Sequence, residues 1–137
     1  MYIKVLGVKH KSKSLYMRNL LWCSPHTPTS EQLESLNDMG NLMFLGIIHP
    51  SLMTRLNNTP SNRKDCMILA DNISELAEKH NAKIIQLGGS PLFLVMAAGV
   101  IGSGRMIFAD SERVSEDIPQ PDGSVKKISI FKHKGWI

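Results

Sequence analysis

Two side chains that could move a proton or hold a phosphate follow the second apolar run of the chain. His26 stands between two prolines, directly after residues 15–23, and Thr27 and Thr29 lie beside it. An imidazole exchanges protons near neutral pH, and a nearby hydroxyl can orient a reacting group. This placement predicts acid–base chemistry or phosphate contact for His26 and Thr29. The alternative is an exposed loop histidine without a role.

A glycine-rich turn, Gly88-Gly89-Ser90-Pro91, joins an apolar strand to a helix. Backbone amides at such a turn suit anions, so Gly88, Gly89 and Ser90 are candidates for binding phosphate. Ser90 also suits a helix N-cap and Pro91 the first helical position, which is what any tight β-to-α corner needs. The turn is neither a Walker loop nor a GxGxxG motif. Both explanations therefore stay open.

Basic groups near the C-terminus form the third set of candidates. Arg113 could bind a phosphate through two parallel hydrogen bonds, or form a surface salt bridge with Glu112 or Asp117. Lys132 and His133 lie on the last predicted strand, where alternation puts them on opposite faces. They would stabilise negative charge, or form part of a solvated edge strand.

Other hydrolytic chemistries lack their motifs. The sequence has no GxSxG, no HExxH and no Cys/His ligand spacing. Its two cysteines, Cys23 and Cys66, are far apart and predict buried thiols. A phosphodiesterase of this composition would therefore work without metal or cofactor, using a ribose 2′-hydroxyl as nucleophile. The protein then has to align that hydroxyl and stabilise the developing charge.

Strand and helix patterns alternate along the middle of the chain, and this predicts an α/β fold with a mostly parallel sheet flanked by helices. Residues 1–16 would be an N-terminal extension or an additional strand. The turn at residues 121–124 predicts a C-terminal β-hairpin, and the whole chain of 1–137 is predicted to be one domain. Strands are predicted at 2–8, 15–23, 41–48, 82–88 and 102–110, and helices at 29–40, 65–80 and 91–101.

Ligands of open parallel sheets bind outside the carboxyl ends of the strands. The predicted strands therefore bring a histidine, several hydroxyls, a glycine turn and an arginine to one rim. The residues that follow the four strands are Ser24, His26, Thr27 and Thr29, then His49, then Gly88, Gly89 and Ser90, and finally Asp110, Ser111 and Arg113.

Composition limits the class of protein. The chain has 137 residues and a net charge of +4, which is mild for a nucleic-acid-binding domain. No apolar run approaches the length of a membrane span, and the N-terminus lacks the apolar core of a signal peptide. We therefore expect a cytoplasmic protein that does not contact a membrane.

Four stretches together resemble the small standalone CRISPR-associated (Csx-type) ring nucleases. "SPHTPTSEQ" is similar to their Ser-His-x-x-Thr-x-x-Gln opening, and "HPSLMTRLNNTP" to a Pro-x-x-Leu…Asn-x-Pro segment. "IIQLGGSPLFLV" resembles their strand, Gln and glycine loop, and "DSERV…DGSVKKISIFKHKGW" resembles their ending. The resemblance covers residues 17–136. An additional Pro25 separates Ser24 from His26, and the glycine loop is shorter than the family's acidic-containing version.

The resemblance implies a Rossmann-like fold related to CARF domains, and a homodimer that binds cyclic oligoadenylate across its two-fold axis. The ligand would be cyclic tetra-adenylate, cleaved without metal to linear products with 2′,3′-cyclic phosphate ends, which switches off type III CRISPR signalling. Long nucleic acid is not expected as a partner. The residues that match the family motifs are His26, Thr29, Gln32, Gln86, Gly88, Gly89, Ser90, Arg113, Lys132 and His133.

On this basis His26 and Thr29 position the 2′-hydroxyl or transfer protons, while Arg113, Lys132 and His133 complete the catalytic set. Two other functions stay open: a protein that sequesters or senses the same nucleotide without cutting it, and an accessory protein that binds nucleic acid. Ligand contacts are expected from Ser24, Thr27, Gln32, Gln86, Gly88, Gly89 and Ser90.

Overall fold

The computed structural model describes residues 18–137, together with the backbone of two short strands, β1 (Lys4–Val5) and β2 (Val8–Lys9), which pair with each other in antiparallel fashion. The predictions for residues 1–16 otherwise lie outside the described residues. The chain divides into two compact units, Met1–Ile107 and Phe108–Ile137. Each is described by itself, and the assignment of residues 1–137 to one domain stays a prediction.

A four-stranded parallel sheet forms the centre of the first unit. Its strands are β3 (Asn19–Cys23), β4 (Asn41–Phe44), β5 (Ala82–Leu87) and β6 (Met106–Ile107), in the order β4-β3-β5-β6. The predicted α/β class with a mostly parallel sheet is confirmed. The helices are α1 (Ser30–Met39), α2 (Leu45–Ile48), α3 (Pro50–Asn57), α4 (Arg63–Lys79) and α5 (Pro91–Ala97), and a π-helical turn (Ala98–Gly102) extends α5.

The two faces of the sheet are covered by different helices. Leu21 and Ile85 point to the face that carries the main core, where α4 and α5 contribute side chains such as Ile73 and Phe93, all fully buried. Leu33 and Leu36 of α1 are buried but lie outside that core, so α1 covers the opposite face. The chain therefore leaves β3 toward one face and leaves β5 toward the other.

Two predicted strands are shorter than expected. β4 ends at Phe44, and Leu45–Ile48 forms a helical turn, because a short apolar run does not distinguish a strand from a buried helical turn. His49 consequently does not follow a strand. It caps α3, where its Nδ1 accepts from the Leu52 N–H at 3.1 Å.

The predicted strand at 102–110 is replaced by a helical turn, the two residues of β6 and the start of the next strand. Asp110, Ser111 and Arg113 are consequently part of the hairpin strand β7 and do not form a loop after the parallel sheet. The prediction that they follow a strand of that sheet is wrong, since pairing with the C-terminal strand extends β7 from Ala109 onward.

The second unit is the predicted C-terminal β-hairpin, which is confirmed. β7 (Ala109–Pro119) pairs with β8 (Val125–Trp136) in a sheet of two strands. Phe108 and Ile137 extend the ladder through two reciprocal backbone hydrogen bonds of 3.0 and 2.9 Å. At the turn, Asp122 accepts from both the backbone N–H and the hydroxyl of Ser124, which lowers the pKa of its carboxyl.

Candidate functional site

The carboxyl ends of β3 and β5 form a topological switch point. These strands are neighbours, yet the chain continues from β3 into α1 and from β5 into α5, on opposite faces of the sheet. Such a point opens a crevice in which α/β proteins bind ligands. The turns that flank this crevice are residues 24–29 and 88–90, which contain seven of the predicted ligand-contacting and catalytic residues.

Ser24 and His26 contact each other at this point. The Ser24 Oγ lies 3.1 Å from the His26 Nδ1 and 3.4 Å from its Nε2, and Ser24 is buried while His26 is exposed. The indole N–H of Trp22 donates to the His26 carbonyl oxygen at 3.1 Å, and the two rings meet edge to face. The backbone and the ring of His26 are thus both held from the protein side. An imidazole held in this way can accept and return a proton at the crevice.

The Gly88–Ser90 turn has structural reasons for its residues. The Gly88 N–H donates to the Cys23 carbonyl oxygen at 2.9 Å, so this amide is not available to a phosphate. A Cβ on Gly88 would lie 2.5 Å from the Ser24 Oγ, and Gly89 has a φ of +147°. The Ser90 Oγ accepts from the Phe93 N–H at 3.3 Å as the N-cap of α5. Close packing explains the glycines of this turn, and capping explains its serine. The predicted start of α5 is confirmed.

Thr29 and Gln32 form the predicted capping box of α1. The Thr29 Oγ1 accepts from the Gln32 N–H at 3.2 Å, while the Gln32 Oε1 accepts from the Thr29 N–H at 3.0 Å. The Gln32 side-chain oxygen is therefore occupied. The Thr29 hydroxyl keeps its own hydrogen, which remains able to donate to a ligand.

A pocket of about 180 Å³ adjoins His26. Its wall is largely apolar, with Ser24, His26 and Thr27 as the polar groups on one side. An apolar pocket with a few convergent polar groups is the usual form of a small-ligand site. The residues that line it are Trp22, Ser24, Pro25, His26, Thr27, Pro28, Phe44, Gly46 and Met53.

Gln86 is a buried polar residue on β5. It is 5% exposed and lies opposite Trp22 of β3 and Ile107 of β6 in the register. Its Oε1 is buried and has no hydrogen-bond partner among the described residues. A buried acceptor without a donor costs about 1–3 kcal/mol, so a donor from a ligand would stabilise this position.

The C-terminal candidates belong to the second unit. Arg113 pairs with Phe131 and Ser111 with His133, so Arg113 and His133 share one face of the hairpin, while Lys132 points to the other. The predicted opposition of Lys132 and His133 is confirmed. The Arg113 guanidinium lies 5.0 Å from the centre of the Phe131 ring, a cation–π contact that holds it in place.

The cysteines are free and buried, as predicted. Burial raises the pKa of the Cys23 thiol, so Cys23 stays protonated next to the crevice and is a poor nucleophile. In the part of the chain from residue 18 onward, no cluster of His, Cys, Asp and Glu side chains has the geometry of a metal site. Over the same residues, no helix is long and apolar enough to cross a membrane.

Sequence reasoning did not identify the apolar part of the pocket. Trp22, Phe44 and Met53 come from two strands and α3, and none of them stands in a motif. The alternation in β3, which puts Trp22 and Ser24 on one face and Leu21 and Cys23 on the other, was the available signal.

Comparison with known proteins identifies a family. Residues 18–137 match the uncharacterized protein MJ1673 family, and the chain belongs to it. Searches of curated proteins and of solved structures find no match.

Proposed function

We propose that this member of the MJ1673 family is a ring nuclease that binds cyclic oligoadenylate and cleaves it without metal. In this proposal the α/β unit is a Rossmann-like domain of the CARF type, the protein acts in the cytoplasm as a homodimer, and cleavage of cyclic tetra-adenylate ends type III CRISPR signalling. The observation that carries the proposal is the Ser24–His26 contact, placed at the switch point beside a pocket of base size.

Cleavage uses the ligand's own nucleophile. A ribose 2′-oxygen attacks the adjacent phosphorus, the new O2′–P bond forms, and the P–O5′ bond breaks. His26 accepts the proton of the 2′-hydroxyl and a water molecule donates a proton to the departing O5′, leaving a 2′,3′-cyclic phosphate and a 5′-hydroxyl. Ser24 orients the imidazole, and the Thr29 hydroxyl donates to a phosphate oxygen.

The pocket beside His26 suits an adenine. Aromatic and proline side chains line it, and a purine gains about 1–3 kcal/mol by stacking on an aromatic ring. The base is then bound by apolar contact and the phosphate lies toward His26.

Arg113 provides a fixed positive charge on one face of the hairpin, and His133 lies on the same face. In the proposed homodimer they stabilise the negative charge that develops on the phosphate. A cyclic ligand with two-fold symmetry fits a two-fold dimer, because each subunit presents the same contacts to it.

The capping box favours the sequestering alternative. Two residues assigned to the ligand, Thr29 and Gln32, already satisfy each other's backbone groups, which leaves His26 as the proton-transfer group of the first unit near the pocket. A protein that binds the ring without cutting it needs only the pocket and the positive charge.

The deciding experiment incubates the protein with radiolabelled cyclic tetra-adenylate in EDTA. Shorter linear products support the nuclease, whereas an intact but retarded ring supports sequestration. His26→Ala should reduce the cleavage rate at least tenfold, about 1.4 kcal/mol of transition-state stabilisation, while His80→Ala, outside the site at the end of α4, should not. Equal rates for the His26 variant and the wild type would remove His26 from the mechanism.

A further inference from the structure

A groove between α3 and α4 lies outside the proposed nuclease site. Its volume of about 300 Å³ is at the lower end of the range found for small-molecule sites, about 300–1,000 Å³. It shares no lining residue with the pocket beside His26. Its polar walls are His49, Ser51 and Arg55 from the α3 side and Asn72, Glu75 and Lys79 from α4. The three α4 residues share one face of that helix, because they stand three and four positions apart.

Among the described residues of the first unit, neither cation of this groove has an acidic partner. No carboxylate oxygen of residues 18–107 lies within 4.0 Å of the Arg55 guanidinium or of the Lys79 ammonium group, and Glu75 takes part in no such pair. Asn72 holds Arg55 in place. In the amide orientation that satisfies both groups, the Asn72 side-chain oxygen accepts from the two terminal guanidinium nitrogens at 2.8 and 3.2 Å. Both positive charges are therefore available to a ligand.

His49 adds a neutral hydrogen-bond donor to the groove. Its Nδ1 accepts from the Leu52 N–H at 3.1 Å, and the Ser51 hydroxyl lies 3.2 Å from the same nitrogen. A neutral imidazole that accepts at one nitrogen carries its hydrogen on the other. The cap of α3 therefore makes the His49 Nε2 an N–H donor.

These donors match a phosphate group. A phosphate monoester has three strong acceptor oxygens and a charge of about −1.5 to −2 near neutral pH. Arg55 and Lys79 supply charge-assisted hydrogen bonds, which are stronger than neutral ones, and His49 supplies a third donor. Glu75 repels a bare anion but can accept from a hydroxyl. The groove therefore suits a phosphate that is carried by a hydroxylated molecule.

We propose that the groove between α3 and α4 binds a small hydroxylated phosphate monoester of the sugar-phosphate type. The phosphate lies between Arg55 and Lys79 with the His49 Nε2 as third donor, and Glu75 accepts from a hydroxyl of the same molecule. No residue of this site is assigned to cleavage of the cyclic nucleotide, so the inference is independent of the proposed function.

Isothermal titration calorimetry without cyclic nucleotide tests the class of ligand. The probe is ribose 5-phosphate. The controls are ribose, which lacks the charge, inorganic phosphate, which lacks the hydroxylated body, and gluconate, which has a carboxylate in place of the phosphate. We expect ribose 5-phosphate to bind about tenfold more tightly than each control. No binding of ribose 5-phosphate, or equally tight binding of any control, would overturn the proposal, whatever the protein does to the cyclic ligand.

Matched variants test the residues of the groove. Lys79→Gln should weaken binding of ribose 5-phosphate about tenfold, whereas Lys64→Gln, which removes the same charge at the other end of α4, should leave it unchanged. Glu75→Ala removes both the acceptor for the hydroxyls and the charge that repels the phosphate. The affinity for ribose 5-phosphate should then approach that for inorganic phosphate.

All three substituted side chains are exposed, so the variants test binding and leave the fold intact. Equal affinities of the Lys79 and Lys64 variants would overturn the proposal. So would a Glu75→Ala protein in which the ratio of the two affinities is the same as in the wild type.

Discussion

Gly88→Ala tests how closely the glycine turn and the Ser24–His26 contact depend on each other. The new Cβ would lie 2.5 Å from the Ser24 Oγ and 3.2 Å from the Pro25 Cδ. The backbone at Gly88 is not in the left-handed region, so the effect of alanine there is steric. Because Ser24 is only 4% exposed, its hydroxyl has to turn away or the turn has to shift. Either movement breaks the 3.1 Å contact with His26.

The size of the effect follows from the packing. Forcing a methyl group into a filled site costs about 1–3 kcal/mol, and we expect about 2 kcal/mol for Gly88→Ala. Ser24→Ala removes one hydrogen bond, about 1 kcal/mol. In the double variant the nearest atom, the Ser24 Oγ, is gone. We therefore expect about 1.5 kcal/mol in place of the additive value of about 3 kcal/mol.

The assays are denaturant unfolding and cleavage of cyclic tetra-adenylate. Gly88→Ala should also reduce the cleavage rate at least tenfold, about 1.4 kcal/mol, and the double variant should recover part of the stability that Gly88→Ala loses, but none of the activity. Gly99→Ala is the matched control, since a Cβ there meets nothing within 4 Å. Additive losses in the double variant, or wild-type stability of Gly88→Ala, would refute the reasoning.

The remaining predictions concern two other groups near the crevice. Thr29→Ala should lower the free energy of unfolding by about 1 kcal/mol, because it removes the N-cap of α1, whereas Thr29→Ser should keep the cap and the stability. Urea unfolding measures both variants. Equal stability of Thr29→Ala and the wild type would mean that the cap contributes nothing. The pKa of Cys23 is raised in the folded state, so its contribution to stability is present below the unfolded thiol pKa of about 8.5 and is lost as the pH rises above it. Measurements of the free energy of unfolding from neutral pH upward should show this decline, and Cys23→Ala should show a smaller decline because it has no thiol to ionise. If the variant and the wild type lose stability equally with rising pH, the prediction is wrong.

The elements with local signals were predicted correctly. The capping box predicted the start of α1 at Thr29, Gly40 its end, and Ser90-Pro91 the start of α5. The turn at Asp122 and Gly123 predicted the hairpin. In each case the interactions that define the element join residues three or four positions apart, which a single sequence displays.

The wrong strand predictions fall where the length of a strand is set by the strand it pairs with. Residues 41–48 form an apolar run that reads as a strand, but β4 pairs only from Asn41 to Phe44, and the next four residues turn into α2. Ala109 and the residues after it have a partner in β8, so they extend the hairpin and do not serve the parallel sheet. No local pattern encodes which distant strand will pair.

Thr29 and Gln32 also show that local interactions can be predicted from sequence while contacts with a ligand cannot. Their spacing predicted both a capping box and, through the resemblance, a ligand contact. The structure shows the cap, with both side chains bonded to backbone amides of their own helix turn. The ligand contact stays a prediction.

The sequence by itself determined the α/β class, the helix caps, the hairpin and the positions of the chemically capable residues, because these depend on neighbours in the chain. The tertiary structure decided which of those residues meet. The order β4-β3-β5-β6 makes β3 and β5 adjacent, and only that adjacency brings the Gly88 turn against Ser24 and creates the crevice beside His26. The base-sized pocket likewise depends on Trp22, Phe44 and Met53, which are far apart in the chain and are brought together by packing.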